Sequence, residues 1–147
     1  MPFNEKVAEA FKNIPKGAAG GLPDFLGIEI FDAGPGTLTA RLAVRDEFLT
    51  GFGNMHGGVL SAFCDHMLGC VCYPAMSKGQ WAATTEFKIN LTAPVKGGTV
   101  EARAEILNLS RSQAVVRIDM VNDGRACAMA QGTVTIHNPR SSGASSR

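Results

Sequence analysis

The sequence predicts an α+β domain in which one curved antiparallel sheet wraps around a long central helix. Three observations lead there. From Asn54 to about Met76, the residues Val59, Leu60, Ala62, Phe63, Met67, Leu68, Val71 and Cys72 recur at helical spacing, with apolar or small residues around most of the circumference. Such a helix belongs in an interior. Two strand-like runs precede it and four follow it. A chain of 147 residues suits one domain with a real core and leaves little room for a second. A buried helix needs a wrapping, and a curved sheet is the only other element available to supply it.

Residues 4 to 14 read as a short amphipathic helix: Asn4 can cap it, Glu5 sits in its first turn, and Val7, Ala8, Ala10, Phe11 and Ile14 are apolar. A Gly- and Ala-rich linker, Lys16 to Gly21, follows, so residues 1–20 stand apart from the domain at 21–138. Phe25 to Phe31 and Thr37 to Val44 are expected as strands. The breakers Asp32-Ala33-Gly34-Pro35-Gly36 join them as a hairpin. Pro74 marks where the central helix stops or bends. Strands are then expected at Trp81–Ala93, Thr99–Leu109, Gln113–Asn122 and Ala126–His137. The turns between them are short, and the expected pairing is a four-stranded antiparallel meander. Residues 139–147, Ser-rich from Ser141 and without a core residue, are expected to form a disordered tail.

Composition excludes several functions. Net charge is +1 with no basic stripe, which argues against nucleic acid as a partner. No stretch approaches the roughly 18 apolar residues of a membrane span, and the first residues lack the apolar core of a signal peptide. Cys64, Cys70, Cys72 and Cys127 therefore read as reduced thiols of a cytoplasmic protein. No Cys-x-x-Cys or close His pair supports a metal site, and none is expected. Successive helix positions turn by about 100°, so Cys64 and His66 do not face each other and a Cys–His nucleophile is not expected either.

The chemistry concentrates in Asn54-Met55-His56-Gly57-Gly58, followed on the helix by Asp65. Two glycines at a helix start leave backbone N–H groups unshielded, where unpaired donors and partial positive charge suit a developing oxyanion. They equally suit close packing of the helix start. Asp65 stands among Phe63, Cys64, Met67 and Leu68, where an ionised carboxylate must be hydrogen-bonded or raised in pKa. Structural and functional readings are both open for it. Gly57 and Asp65 are separated by about 12 Å along one helix, whereas each catalytic group must come within about 3 Å of the reacting atoms. If both act on one carbonyl, two antiparallel helices from two subunits must build the site.

These residues resemble the HotDog-fold thioesterases, in particular the PaaI-like branch named for phenylacetate degradation. The resemblance rests on His56-Gly57-Gly58 with Asp65, on Thr84-Thr85-Glu86-Phe87-Lys88-Ile89-Asn90-Leu91-Thr92-Ala93-Pro94, and on Gln131-Gly132-Thr133-Val134-Thr135. It runs from about Leu22 to His137. It implies hydrolysis of an acyl-CoA thioester with no cofactor beyond the CoA of the substrate. Asp65 would attack the carbonyl or activate a water, the Gly57 amide of the facing subunit would hold the thioester oxygen, and His56 would orient the loop. Asn54 and Gly58 would touch substrate. The position of the family's assisting Asn or Gln falls on Thr50, with Asn54 nearby. An assisting hydroxyl falls on Thr84, although Thr85, Phe87, Ile89 and Leu91 share one strand face and Thr84 the other unless a bulge intervenes. Arg111 and Ser112, in the turn Ser110-Arg111-Ser112, would meet the CoA phosphates, with Lys96 and His137 as further candidates.

The resemblance also implies a homodimer, paired again as a dimer of dimers. Phe52, Phe63, Met67 and Tyr73 are candidates for an acyl pocket taking an aryl, aryl-acetyl or medium-chain group. Two other functions use the same fold: a dehydratase or hydratase acting on acyl thioesters, and a non-catalytic acyl-CoA sensor.

Overall fold

The computed structural model describes residues 1–139. From residue 140 onward the expected tail lies outside the described residues. Three helices, α1 (Glu5–Lys12), α2 (Gly21–Leu26) and α3 (Gly57–Cys70), accompany six strands: β1 (Glu29–Gly34), β2 (Thr37–Ala43), β3 (Trp81–Leu91), β4 (Thr99–Leu109), β5 (Gln113–Asn122) and β6 (Arg125–His137). All strand pairs are antiparallel in one sheet of order β1-β2-β4-β5-β6-β3. The sheet curls around α3, and the architecture is that of the HotDog fold.

Alternation explains the wrapping. Leu38, Ala40 and Leu42 of β2, Val100, Ala102, Ala104 and Ile106 of β4, and Ala114, Val116, Ile118 and Met120 of β5 are all buried on the face toward α3. The helix answers with Leu60, Phe63, Cys64, Met67, Leu68 and Cys70. Small residues on β6, Ala128, Ala130 and Gly132, let the helix approach closely. A Cβ at Gly132 would stand 2.6 Å from the Glu86 carbonyl oxygen and from Phe87 Cβ, and 3.2 Å from Leu68 Cδ1.

Several expectations need correction. Phe25 does not begin a strand: it lies in α2, which Gly27 closes in the left-handed region (φ 71°), and β1 starts at Glu29. The central helix is shorter than expected, ending at Cys70 with a separate 3-10 turn at Tyr73–Ala75, where Pro74 cannot donate to a continuing helix. The meander covers only β4, β5 and β6. β3 pairs with β6 at the far edge, so the link Thr92–Gly98 crosses three strand spacings, about 14 Å, well within the span of seven residues. That crossing link also fixes the start of α3. Its Val95 is buried, and the Val95 carbonyl accepts from the Met55 amide at 2.7 Å.

Candidate active site

Two contacts hold the start of α3 in place: the Met55 amide on Val95, and the His56 amide donating to the Phe48 carbonyl at 2.8 Å. His56 is the N-cap, with its Nδ1 accepting from the Gly58 amide at 2.8 Å. A histidine here takes the place of the usual Ser, Thr, Asp or Asn. The Gly58 donor is therefore occupied. The Gly57 amide has no acceptor among the described residues, so the free donor at the helix start is that of Gly57. Its carbonyl accepts from Ser61 Oγ at 2.8 Å.

Asp65 is exposed, which corrects the expectation of apolar surroundings. Its apolar sequence neighbours turn toward the sheet. Asp65 instead shares a helix face with Gly58, Ala62 and Gly69, spaced at i, i+4, i+7 and i+11, none of which is buried.

A cavity of about 430 Å³ opens beside Asp65, lined by His66, Gly69, Cys70, Tyr73, Ala82 and Thr84. Thr84 reaches it because β3 carries a bulge between Thr84 and Glu86. The extra residue, Thr85, resets the alternation, so Thr84 pairs with Val134 and Ala82 with Ile136, both inward-facing and buried, while Phe87 pairs with Gly132 on the same side. Thr85 points outward and shares a hydrogen bond with Thr135 at 2.5 Å. The bulge thus brings the Thr84 hydroxyl and the Asp65 carboxylate to one cavity.

Burial lowers the pKa of His66 below its ordinary 6.5, opposed in part by the Asp65 carboxylate. The imidazole is therefore neutral at pH 7, with Cys70 Sγ 3.5 Å from Nε2. Burial pushes Cys64, Cys70 and Cys72 up to about 12, helped at Cys64 by Asp65 and at Cys70 by Cys72. These thiols stay protonated at neutral pH and are poor nucleophiles. Among the described residues, no group of three or more His, Cys, Asp or Glu side chains could hold a metal ion, and no helix is long and apolar enough to cross a membrane.

The remaining candidates are dispersed. Asn54 is half-buried, and its Oδ1 lacks a partner among the described residues. Thr50 Oγ1 accepts from the Phe52 amide at 3.3 Å within its own turn. Arg111 and Ser112 are exposed on the β4–β5 turn, where the Ser112 carbonyl accepts from the Ile136 amide. Of the acyl-pocket candidates, only Tyr73 lines the Asp65 cavity. Phe63 and Met67 are fully buried core residues, and Phe52 is 93% exposed at the tip of its loop. His66, Gly69 and Cys70 were missed as cavity residues. The available signal was the i, i+4 spacing on α3, which puts Gly69 beside Asp65 and Cys70 beside His66.

Residues 52–128 match the Thioesterase superfamily. A Haemophilus influenzae protein named as an esterase is 30% identical over 117 residues, covering 77% of this chain and 83% of that protein. A 1,4-dihydroxy-2-naphthoyl-CoA hydrolase of Listeria monocytogenes is 26% identical over 103 residues, 70% of this chain and 84% of that one. The structure of the Escherichia coli PaaI protein from the phenylacetic acid degradation operon superposes with a TM-score of 0.80 at 22% identity, over 93% of this chain and 97% of that one. The chain belongs to the Thioesterase superfamily. Its class of chemistry is thioester hydrolysis, on a PaaI-like HotDog scaffold.

Proposed function

We propose that the protein hydrolyses an acyl-CoA thioester to the free acid and CoA in a site shared by two subunits. On one route Asp65 attacks the carbonyl carbon, the C–S bond breaks to leave a mixed anhydride and the CoA thiolate, and a water then hydrolyses the anhydride, freeing Asp65 and supplying the thiolate's proton. On the other, Asp65 takes a proton from a water that attacks the carbonyl, the C–S bond breaks, and that proton passes to the departing thiolate. The Gly57 amide of the facing subunit receives the developing oxyanion. His56 fixes that amide's direction by capping the helix, and Thr84 supports the attacking group. The observation that carries this reading is the Asp65–Thr84 cavity at mid-helix, with the unoccupied Gly57 donor about two turns away on the same helix.

The unburied stripe Gly58, Ala62, Asp65 and Gly69 supports a homodimer, because small residues admit a second helix at close range. β3 beside it is an edge strand of the sheet. A dimer of dimers would follow the PaaI-like pattern. In this reading Arg111 and Ser112 meet the CoA phosphates, and Asn54 and Gly58 meet the thioester end. The Listeria relative's name supports an aryl acyl group, with aryl-acetyl and medium-chain groups as the other members of the class. The four unpaired, buried cysteines support a cytoplasmic location.

The test is thiol release from aryl and fatty acyl-CoAs by the parent and by Asp65→Asn. Release by the parent that falls at least about a hundredfold in the variant is expected for loss of the group that does the chemistry. Tight binding of the esters without release by the parent would overturn hydrolysis in favour of a sensor.

A further inference from the structure

Trp81 opens β3 and His137 closes β6, and the two residues are register partners. Their rings stack at a centroid distance of 4.1 Å and an interplanar angle of 15°. The neighbouring pair Ala82–Ile136 faces the core, so Trp81 and His137 lie on the outer face of the sheet, where Trp81 remains 50% exposed. An indole in that position costs apolar exposure that a cross-strand pair alone does not require.

The surroundings are cationic and polar. Ser112 bonds the amide of Ile136, which places the Arg111 turn beside His137. Lys78 is exposed three residues before Trp81, and Gln80 donates to Asn138 at 2.9 Å, tying together the two chain segments that carry the stacked rings. Along β3, Trp81 stands three residues from Thr84, about 10 Å by strand rise. Thr84 faces the Asp65 cavity and Trp81 the outer face, so the two are joined around the open edge of β3.

We propose that the Trp81–His137 pair is the stacking platform for the adenine base of the CoA portion of the substrate, with Arg111 and Lys78 supplying charge to its phosphates. The proposal rests on the acyl-CoA reading above. An adenine has a π-face for the exposed indole, and the guanidinium and ammonium offer donors to phosphate oxygens. The platform ties the nucleotide down without touching the thioester, so it acts on binding rather than on the chemical step.

Trp81 is the single tryptophan of the chain, so its fluorescence reports the platform directly. Titration with adenosine 3′,5′-bisphosphate, which carries no thioester, should give saturable quenching that Arg111→Ala weakens. Absence of quenching overturns the platform whether or not the protein hydrolyses anything. Quenching by ATP but not by CoA would also overturn it, since the base would then belong to a free nucleotide. In turnover, Trp81→Ala should raise KM for an acyl-CoA by about 5- to 160-fold with kcat within about twofold, the range expected for one stacked base. Trp81→Phe, which keeps a ring, should restore most of it. The pantetheine thioester of the same acid, lacking adenine, should be hydrolysed equally by all three proteins. An equal KM rise on both substrates would contradict the assignment. Failure to hydrolyse either thioester would instead refute the acyl-CoA reading, leaving the fluorescence titration to decide the platform.

Discussion

Replacing Gly57 by proline isolates the oxyanion donor. Gly57 is the first residue of α3, where an amide has no intrahelical acceptor and proline is well tolerated. The preceding residue, His56, has φ −62° and ψ 131°, within the region a residue before proline prefers. The substitution therefore removes one N–H and no helix hydrogen bond. Its steric cost falls on Leu91, whose Cδ1 lies 2.6 Å from a Cβ built at position 57; that side chain is 52% exposed and free to turn. Stability should stay near that of the parent. Loss of one oxyanion donor should lower kcat by about 100- to 1,000-fold, equivalent to roughly 2.7–4 kcal/mol of transition-state stabilisation. Gly57→Ala meets the same Leu91 contact but keeps the N–H, so it should retain most activity. Thiol release and thermal melting of both variants provide the assay. A proline variant that melts normally and turns over within about threefold of the parent would refute the role of this amide, as would an alanine variant equally inactive.

Two further predictions concern the scaffold. Gly132→Ala should destabilise the fold by about 1–3 kcal/mol, because its Cβ would meet backbone at the Glu86 carbonyl as well as Phe87 and Leu68; urea titration measures this, and an unchanged midpoint would argue against close helix–sheet packing there. His66 has a folded-state pKa below its ordinary value, so the unfolded chain takes up the proton first as pH falls. Its effect is absent above about pH 6.5 and becomes a destabilisation as pH drops from there through the folded pKa, a slope that His66→Gln should remove from melting curves recorded between pH 7 and 5.

How far the fold was legible depended on the kind of signal. β4 and β5 match their expected bounds because Val100, Ala102, Ala104 and Ile106, and likewise Ala114, Val116, Ile118 and Met120, alternate cleanly between breaker-rich turns. The run Phe25 to Phe31 was ambiguous: its apolar residues suit either period, and only Pro23 in the first turn of α2 and the left-handed Gly27 mark the helix. Strand adjacency leaves no local trace, which is why the place of β3 beside β6 could not be read from short turns. Asp65 was judged by its sequence neighbours, when its environment is set by residues three, four and seven positions away. Thr84 stood on the wrong face by strict alternation, and the bulge at Thr85 that reverses this is a property of pairing with β6. The segment His56-Gly57-Gly58 with Asp65 was visible throughout, since both the free amide and the carboxylate follow from residue type and helix position.

A subunit-mixing experiment tests the shared site most directly. Gly57→Pro and Asp65→Asn, each inactive alone, would be unfolded and refolded together, with exchange verified by native mass spectrometry. In a random mixture half the dimers are hybrids, each with one site combining an intact Asp65 and an intact Gly57 amide, so about a quarter of parental activity should return. No recovery, with hybrids present in that proportion, would contradict a site built across two subunits.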